Sequence, residues 1–319
     1  MDSKEIYEEV HKRYGSVTKT TTGKYEQTVA KAFGYTEEEL AGIPDGANLG
    51  LSCGNPTALA KLREGETVID LGSGAGFDVL TAAKKVGLAG KAIGVDMNKN
   101  MIDKANSNKA AMKISNVEFV QGTITSVPLN DATADCIISN CVVNLVPASE
   151  KQLVFNEMFR LLKPGGRVAV SDILALKEFT DDIRNNIALY VGCIAGASPV
   201  GDYEAFLNNA GFQSKLSCRR SVMIELTVWE DVLIVDTKSD LKVYFTAHEN
   251  ESSCCGNEQT NSACGAGLST CAPQNSSTEL ADDQDILGDR LGIADFNEWA
   301  GSFQVYAVKP LSIQDDKST

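Results

Sequence analysis

The chain has two histidines, His11 and His248, among 319 residues. A chemistry organised around imidazole, as base, nucleophile or metal ligand, is therefore not expected. Positive charge is also scarce: 29 Lys and Arg stand against 43 Asp and Glu, for a formal net charge of −14. Phosphate backbones and anionic membrane surfaces select clustered basic residues, so neither nucleic acid nor membrane is expected as a partner. Long hydrophobic runs are missing too. The longest mostly apolar stretch, Ile187 to Ala197, falls well short of the ~20 residues of a spanning helix. The polar opening Met1-Asp2-Ser3-Lys4-Glu5 lacks a secretory apolar segment. These absences describe a soluble, cytoplasmic protein. What remains is a globular balance, 43% hydrophobic and 23% charged, in a chain long enough for a full α/β domain and a further region.

Against this background the most informative segment is Asp70-Leu71-Gly72-Ser73-Gly74-Ala75-Gly76. It lies between an apolar run, Thr67 to Ile69, and a helical pattern from Phe77 to Val86. A strand, a glycine turn and a helix N-terminus bring backbone N–H groups close to a ligand. The spacing departs from the dinucleotide fingerprint G-x-G-x-x-G, because the third glycine comes one residue early and Phe77 fills the dinucleotide slot. An acid two positions before G-x-G-x-G resembles the first motif of S-adenosylmethionine methyltransferases. A second signal follows on schedule. Lys91 to Asp96 reads as the next strand and ends in a carboxylate 20 residues after Gly76, where it can accept ribose hydroxyls. Met97 is placed against the adenine face. A third strand, Asn116 to Val120, delivers Thr123 and Ile124 to the same end of the sheet.

The remaining pattern is α/β. Tyr7–Tyr14 and Lys24–Phe33 read as helices, and Thr36-x-x-Glu39 as a capping box. Ala134–Ser139 is a buried fourth strand without alternation, Lys151–Lys163 a helix closed by Pro164-Gly165-Gly166, and Arg167–Asp172 a fifth strand. Alternating strands and helices with short turns predict a parallel, doubly wound, Rossmann-like sheet. Beyond Ile173 the expectations are a helix over Thr180–Cys193, another over Asp202–Ala210, and a sixth strand over Phe212–Glu225. A strand over Leu241–Thr246 and a last one over Phe303–Val308, inserted antiparallel at the sheet edge, complete the list. Glu249–Asp283 has the composition of a mobile loop.

Nine cysteines in a reducing compartment call for a reason other than structural disulfides. Cys136 and Cys218 fall inside predicted strands and read as small core residues. Three others face a ligand site. Cys53 lies in the turn Asn48–Pro56, Cys141 follows Ser139-Asn140 at the carboxyl end of the fourth strand, and Cys193 is flanked by Gly192 and Gly196. The fourth strand adjoins the first in this topology, which puts Cys141 beside the reactive end of the cofactor.

The segments Asn48–Pro56, Asp70–Asp78, Ser139-Asn140-Cys141-Val142-Val143-Asn144-Leu145-Val146-Pro147 and Gly192–Ala197 resemble those of arsenite S-adenosylmethionine methyltransferases, and Asn297 to Pro310 resembles the end of the fungal-type members. The resemblance implies a class I S-adenosylmethionine methyltransferase sheet with a C-terminal arsenite-binding and accessory region. Its divisions are an N-terminal helical segment (1–47), a cofactor-binding domain (48–175), an arsenite-binding region (176–225) and a C-terminal region (226–319) containing the loop 249–283 and a final strand 303–309. It implies that Cys53, Cys141 and Cys193 bind trivalent arsenic and are the catalytic residues. It further implies that Asp70, Gly72, Ser73, Gly74, Gly76, Asp96, Met97, Thr123, Ile124 and Asn140 hold S-adenosylmethionine. The partners it implies are arsenite or its thiol conjugates, and a thiol reductant such as glutathione or thioredoxin. Relatives carry one or two early cysteines where this chain has Thr20-Thr21-Thr22.

The chemistry suits that resemblance. Soft thiolates select a thiophilic centre, and three-coordinate arsenic keeps a lone pair that attacks a methyl group without a general base. Cys254 and Cys255, with Cys264 and Cys271 nearby, lack the C-x₂-C spacing of a zinc chelate; the vicinal pair suits arsenic capture or redox exchange, or is incidental. Two rival readings stay open. One is a methyltransferase acting on oxygen or carbon of a small organic acceptor, with Asp172 or a tyrosine as base. The other is a non-enzymatic thiol protein that buffers arsenic or metal.

Overall fold

A computed structural model describes residues 2–17, 23–186, 189–190, 192–212, 232–244, 293 and 295–311. Helices α1 (Ser3–Val17), α2 (Lys24–Ala32), α3 (Glu37–Ala41) and α4 (Pro56–Ala60) precede the sheet. The α3 start is the capping box expected from sequence: Thr36 Oγ1 accepts the Glu39 N–H at 3.2 Å, and the Glu39 carboxylate accepts the Thr36 N–H at 3.0 Å.

Strand β1 (Thr67–Leu71), helix α5 (Phe77–Val86), β2 (Lys91–Asp96), α6 (Lys99–Met112), β3 (Val117–Gln121), β4 (Ala134–Asn140), α7 (Lys151–Leu161) and β5 (Leu162–Ala175) then build the α/β unit. After α8 (Asp181–Arg184) and α9 (Val200–Ala210) come β6 (Val232–Asp236) and β7 (Ala300–Val308). The seven strands run in the order β3-β2-β1-β4-β5-β7-β6, with β7 antiparallel to both neighbours and the β1–β5 pairs parallel. Strand order reverses between β1 and β4, so the carboxyl ends of β1, β2 and β4 open onto one crevice.

The central strands β1, β2 and β4 are covered on both faces, which is why they are largely apolar rather than alternating. On one face Phe155 and Met158 of α7 pack with Tyr203 and Leu207 of α9 against Ile137, Val168 and Val170. On the other, Val79, Leu80 and Ala83 of α5 meet Val68, Ala92 and Ile138. A third cluster, centred on Cys53, Cys141, Cys193 and Ile173, lies beyond the carboxyl ends of the strands, where α1 and α2 contribute Ile6, Val10 and Val29.

Several expectations are corrected. The last strand begins at Ala300, and it inserts between β5 and β6 instead of at the edge. Val305 and Ala307 are fully buried in that central place, and the edge is taken by β6, whose apolar run Val232-Leu233-Ile234-Val235 the sequence reading did not single out. Helix α7 stops at Leu161, because β5 already starts at Leu162, pairs with Ala134 and absorbs Pro164-Gly165-Gly166 as an irregularity with Gly165 at φ 80°. Of the helix expected over Thr180–Cys193, the described residues include α8, capped by Thr180 with Asn185 as its C-cap, and helical backbone at Leu189 and Tyr190; residues 187, 188 and 191 lie outside the described residues. Leu241–Tyr244 is a turn held by Leu241 N–H on Asn297 Oδ1 (2.9 Å), not a strand. The sixth strand expected over Phe212–Glu225, apart from Phe212, and the loop 249–283 lie outside the described residues.

Candidate functional site

The crevice at the switch point is floored by the glycine turn. Gly72, Gly74 and Gly76 all have positive φ (77°, 51° and 91°). A side chain at Gly72 would run into Val142, and one at Gly76 into Phe119. The turn is closed by backbone bonds, with the Gly72 and Ser73 N–H groups both on Val95 O. Asp96, at the end of β2, grips the turn: its Oδ2 accepts the Gly74 N–H at 2.9 Å and its Oδ1 the Asn98 N–H at 2.8 Å. Asp70, Gly72, Ser73, Gly74, Asp96, Met97, Thr123, Ile124 and Asn140 all line one cavity, and Cys141 lines it as well. Gly76 stands behind it as the N-cap of α5.

Three buried carboxylates converge on this cavity. Burial, followed by the charges of Asp78 and Asp96, raises the Asp70 carboxyl well above the ordinary range. Burial also pushes Asp78 up to about 6, against hydrogen bonds from Tyr35 Oη (2.7 Å) and Asn140 Nδ2 (3.1 Å), and burial raises Asp96. The buried Ser73 hydroxyl has no hydrogen-bond partner among the described residues. A pocket lined by three carboxyls and an unpartnered hydroxyl fits S-adenosylmethionine, a cation with an amine, a sulfonium and ribose hydroxyls. Asp96 and Ser73 would hold its polar rim, Asp70 and Asp78 its positive charge.

Sequence reasoning missed part of this wall. Helix α1 lies across the mouth and contributes Tyr7, Val10 and Tyr14, pinned by Tyr7 Oη on Glu150 Oε2 (2.9 Å) and by Asn98 Nδ2 on His11 O (3.0 Å). No sequence pattern marks a lid. Asp78, in the first turn of α5, was visible as part of the glycine motif but was not singled out.

Of the three expected cysteines, Cys141 lines the cavity and the other two contact Cys141. Cys53 and Cys141 form a disulfide with Cα atoms 5.8 Å apart, although 88 residues separate them. The Cys193 thiol donates to the Cys141 carbonyl at 3.0 Å, and Tyr14 Oη lies 3.8 Å from its sulfur. All three are buried. Cys141 and Cys193 both adopt left-handed backbone (φ 58° and 66°), which costs a residue with a Cβ about 1–2 kcal/mol. Burial, then the charge of Asp172, pushes the Cys193 thiol up to about 12. An Asp172 carboxylate oxygen and the Cys53 and Cys141 sulfurs lie within 4.8 Å of one another. Cys136 is buried inside β4, away from this group, as expected of a core residue. Cys254 and Cys255 lie outside the described residues.

A mostly parallel sheet in this order, with a glycine turn after β1, an acid after β2 and a cavity lined by carboxyls over both, is a Rossmann-like α/β fold like that of class I methyltransferases. Residues 62–215 match the family model described as a methyltransferase domain. By sequence the chain is similar to proteins named arsenite methyltransferase. That of Halobacterium salinarum is 49% identical over 189 residues, 59% of this chain and 48% of that protein. That of Mus musculus is 32% identical over 225 residues, 66% of this chain and 59% of that protein. A solved arsenic(III) S-adenosylmethionine methyltransferase from Chlamydomonas reinhardtii shares the fold, with a TM-score of 0.54 at 24% identity over 90% of this chain and 75% of that one. The chain spans about half the length of the curated relatives it matches. Among the described residues no helix is long and apolar enough to cross a membrane.

Proposed function

We propose that this protein methylates trivalent arsenic held by the thiolates of Cys53, Cys141 and Cys193. The observation that carries the reading is that two cysteines distant in sequence, Cys53 and Cys193, both contact Cys141, which itself lines the cavity. The names of the relatives point the same way. Arsenous acid suits the protonated thiols: each As–S bond formed from an As–OH group and an S–H group releases one water, so no separate base is needed. Bound in the cavity, S-adenosylmethionine supplies an electrophilic methyl whose departure leaves a neutral thioether. The chain's part is alignment, which is worth about 7–11 kcal/mol when the reacting atoms are well placed. The Cys53–Cys141 bond must be opened before arsenic enters, so a thiol reductant such as glutathione or thioredoxin is part of the proposal, as is a reducing cytoplasmic setting.

Methylation of oxygen or carbon would need a base at the methyl. Asp172, the candidate for that role, has both carboxylate oxygens engaged, Oδ1 by the Ile173 N–H and Asn144 Nδ2 and Oδ2 by Tyr203 Oη. The test is incubation of the full chain with S-adenosylmethionine, glutathione and arsenite, followed by chromatography of arsenic species. Methylated arsenic that disappears in Cys141→Ser and Cys193→Ser supports the proposal. Thiol-dependent arsenic binding without any methylated product would leave only a buffering protein, and undiminished turnover in both variants would overturn the assignment of the thiols.

A further inference from the structure

The Ser-Asn-Cys-Val-Val-Asn-Leu run holds a second asparagine, Asn144, for which the proposed chemistry has no use. It is fully buried. Its Nδ2 group donates to the carbonyl of Cys193 (3.3 Å), to the carbonyl of Ile173 (2.5 Å) and to Asp172 Oδ1 (2.8 Å). Its Oδ1 accepts from Lys151 Nζ at 3.4 Å. Lys151 opens α7 and is 2% exposed. The same ammonium also donates to the Gly196 carbonyl and to Ser198 Oγ (3.0 Å). A buried lysine and a buried aspartate, joined through one carboxamide, are an expensive device for stability alone. What they grip is a single loop, 192–198, in which Cys193 stands in left-handed backbone and Gly196 packs so close to the Asn144 carbonyl that a Cβ would overlap it.

We infer that Lys151 and Asn144 are positioning residues that hold the 192–198 loop, so that the Cys193 sulfur faces the Cys53–Cys141 pair and completes a three-thiolate site. The inference rests on the arsenic reading above for its purpose, but its geometry is independent of it. Lys151 reaches no residue of the cofactor cavity's glycine turn, and Asn144 spans from the β5 end to the Cys193 backbone. Removing either therefore loosens one arsenic ligand and leaves the cofactor wall standing.

The test uses the full chain, reduced, as Lys151→Met and Asn144→Ala, each in wild-type and Cys193→Ser backgrounds. Arsenite binding, measured by metal analysis after gel filtration, is expected to weaken about tenfold in each variant, the size expected for one buried hydrogen-bonded anchor. S-adenosylmethionine affinity by calorimetry is expected to stay within about twofold, and the Cys193→Ser background to show no further loss, since both changes act through the same sulfur. An equal loss in both backgrounds, or a parallel loss of cofactor binding, would overturn the inference. If arsenite binds none of the proteins, the arsenic reading fails by itself, and the positioning role is read from Cys193 alkylation by iodoacetamide, mapped by mass spectrometry. That rate is expected to rise about tenfold in the variants, and an unchanged rate would overturn the inference. Should Lys151→Met not fold, Asn144→Ala, which leaves both buried charges in place, decides the outcome.

Discussion

The carboxamide oxygen of Asn140 accepts the backbone N–H of Cys53 at 3.1 Å. One side chain at the end of β4 thus holds the loop that carries one site cysteine, while the next residue along the chain is the cysteine bonded to it. The same carboxamide donates to Gly54 O and to Asp78 Oδ2, so the cofactor wall and the thiol site share a hinge pin. Asn140→Ala leaves several buried groups without partners and is expected to cost about 1–3 kcal/mol. Urea unfolding in reductant measures that cost, and unchanged stability with normal cofactor binding would show that the pin is dispensable.

Asp96 spends both oxygens on the backbone of the glycine turn and the next helix. Asp96→Ala is expected to weaken S-adenosylmethionine binding by about 1.5–3 kcal/mol, or roughly 10–100-fold. Titration calorimetry checks it, with an unaltered dissociation constant counting against Asp96 as a cofactor residue.

Acidification is expected to move cofactor affinity and apo-protein stability in opposite directions. Asp78 titrates near 6 in the empty pocket, above the unfolded carboxyl. A cation requires the carboxylate, so affinity is full above pH 7 and falls as pH drops through 6, by up to about tenfold per unit for each proton displaced. For the empty protein the sign reverses. A carboxyl whose folded pKa is raised contributes stability below its unfolded value and loses it as pH rises through about 6. The stability difference between wild type and Asp78→Asn, followed from pH 4 to pH 7.5, should shift accordingly, and a flat difference would contradict the burial argument.

Cys193 occupies left-handed backbone without being glycine. Cys193→Gly and Cys193→Ala should both lack methylation, but the glycine variant should be the more stable of the two by about 1 kcal/mol. Denaturant unfolding distinguishes them; equal stability would mean that the loop relaxes to another conformation once the thiol is gone.

Much of this was legible in the chain. Asp70 to Gly76 and Asp96 were recognisable because a glycine turn and a strand-terminal acid are local devices, dictated by backbone geometry within a few residues. Cys141 was placed by the same logic, one step past an apolar strand. The places where expectation failed are non-local. Nothing in Phe303–Val308 says that it will lie between two strands, because insertion depends on what β6 offers as an edge. The lid formed by α1 and the burial of Lys151 escaped notice for a related reason: an isolated lysine after Pro147-Ala148-Ser149-Glu150 looks like a solvated helix start, and only tertiary packing gives its ammonium three acceptors, Asn144 Oδ1 and, from the loop 192–198, Gly196 O and Ser198 Oγ.

The amino-acid sequence by itself determined the class of sheet, the place of the cofactor turn and the candidate thiols, since each follows from short-range spacing, hydrophobic pattern and the chemistry of single residue types. Only the tertiary structure decided that Cys53 and Cys141 meet across 88 residues, that the Cys193 thiol reaches the Cys141 carbonyl, and that three carboxylates share one cavity. Those relationships depend on strand order and on which faces pack together, and a distance between side chains exists only once the sheet has brought them to the same end.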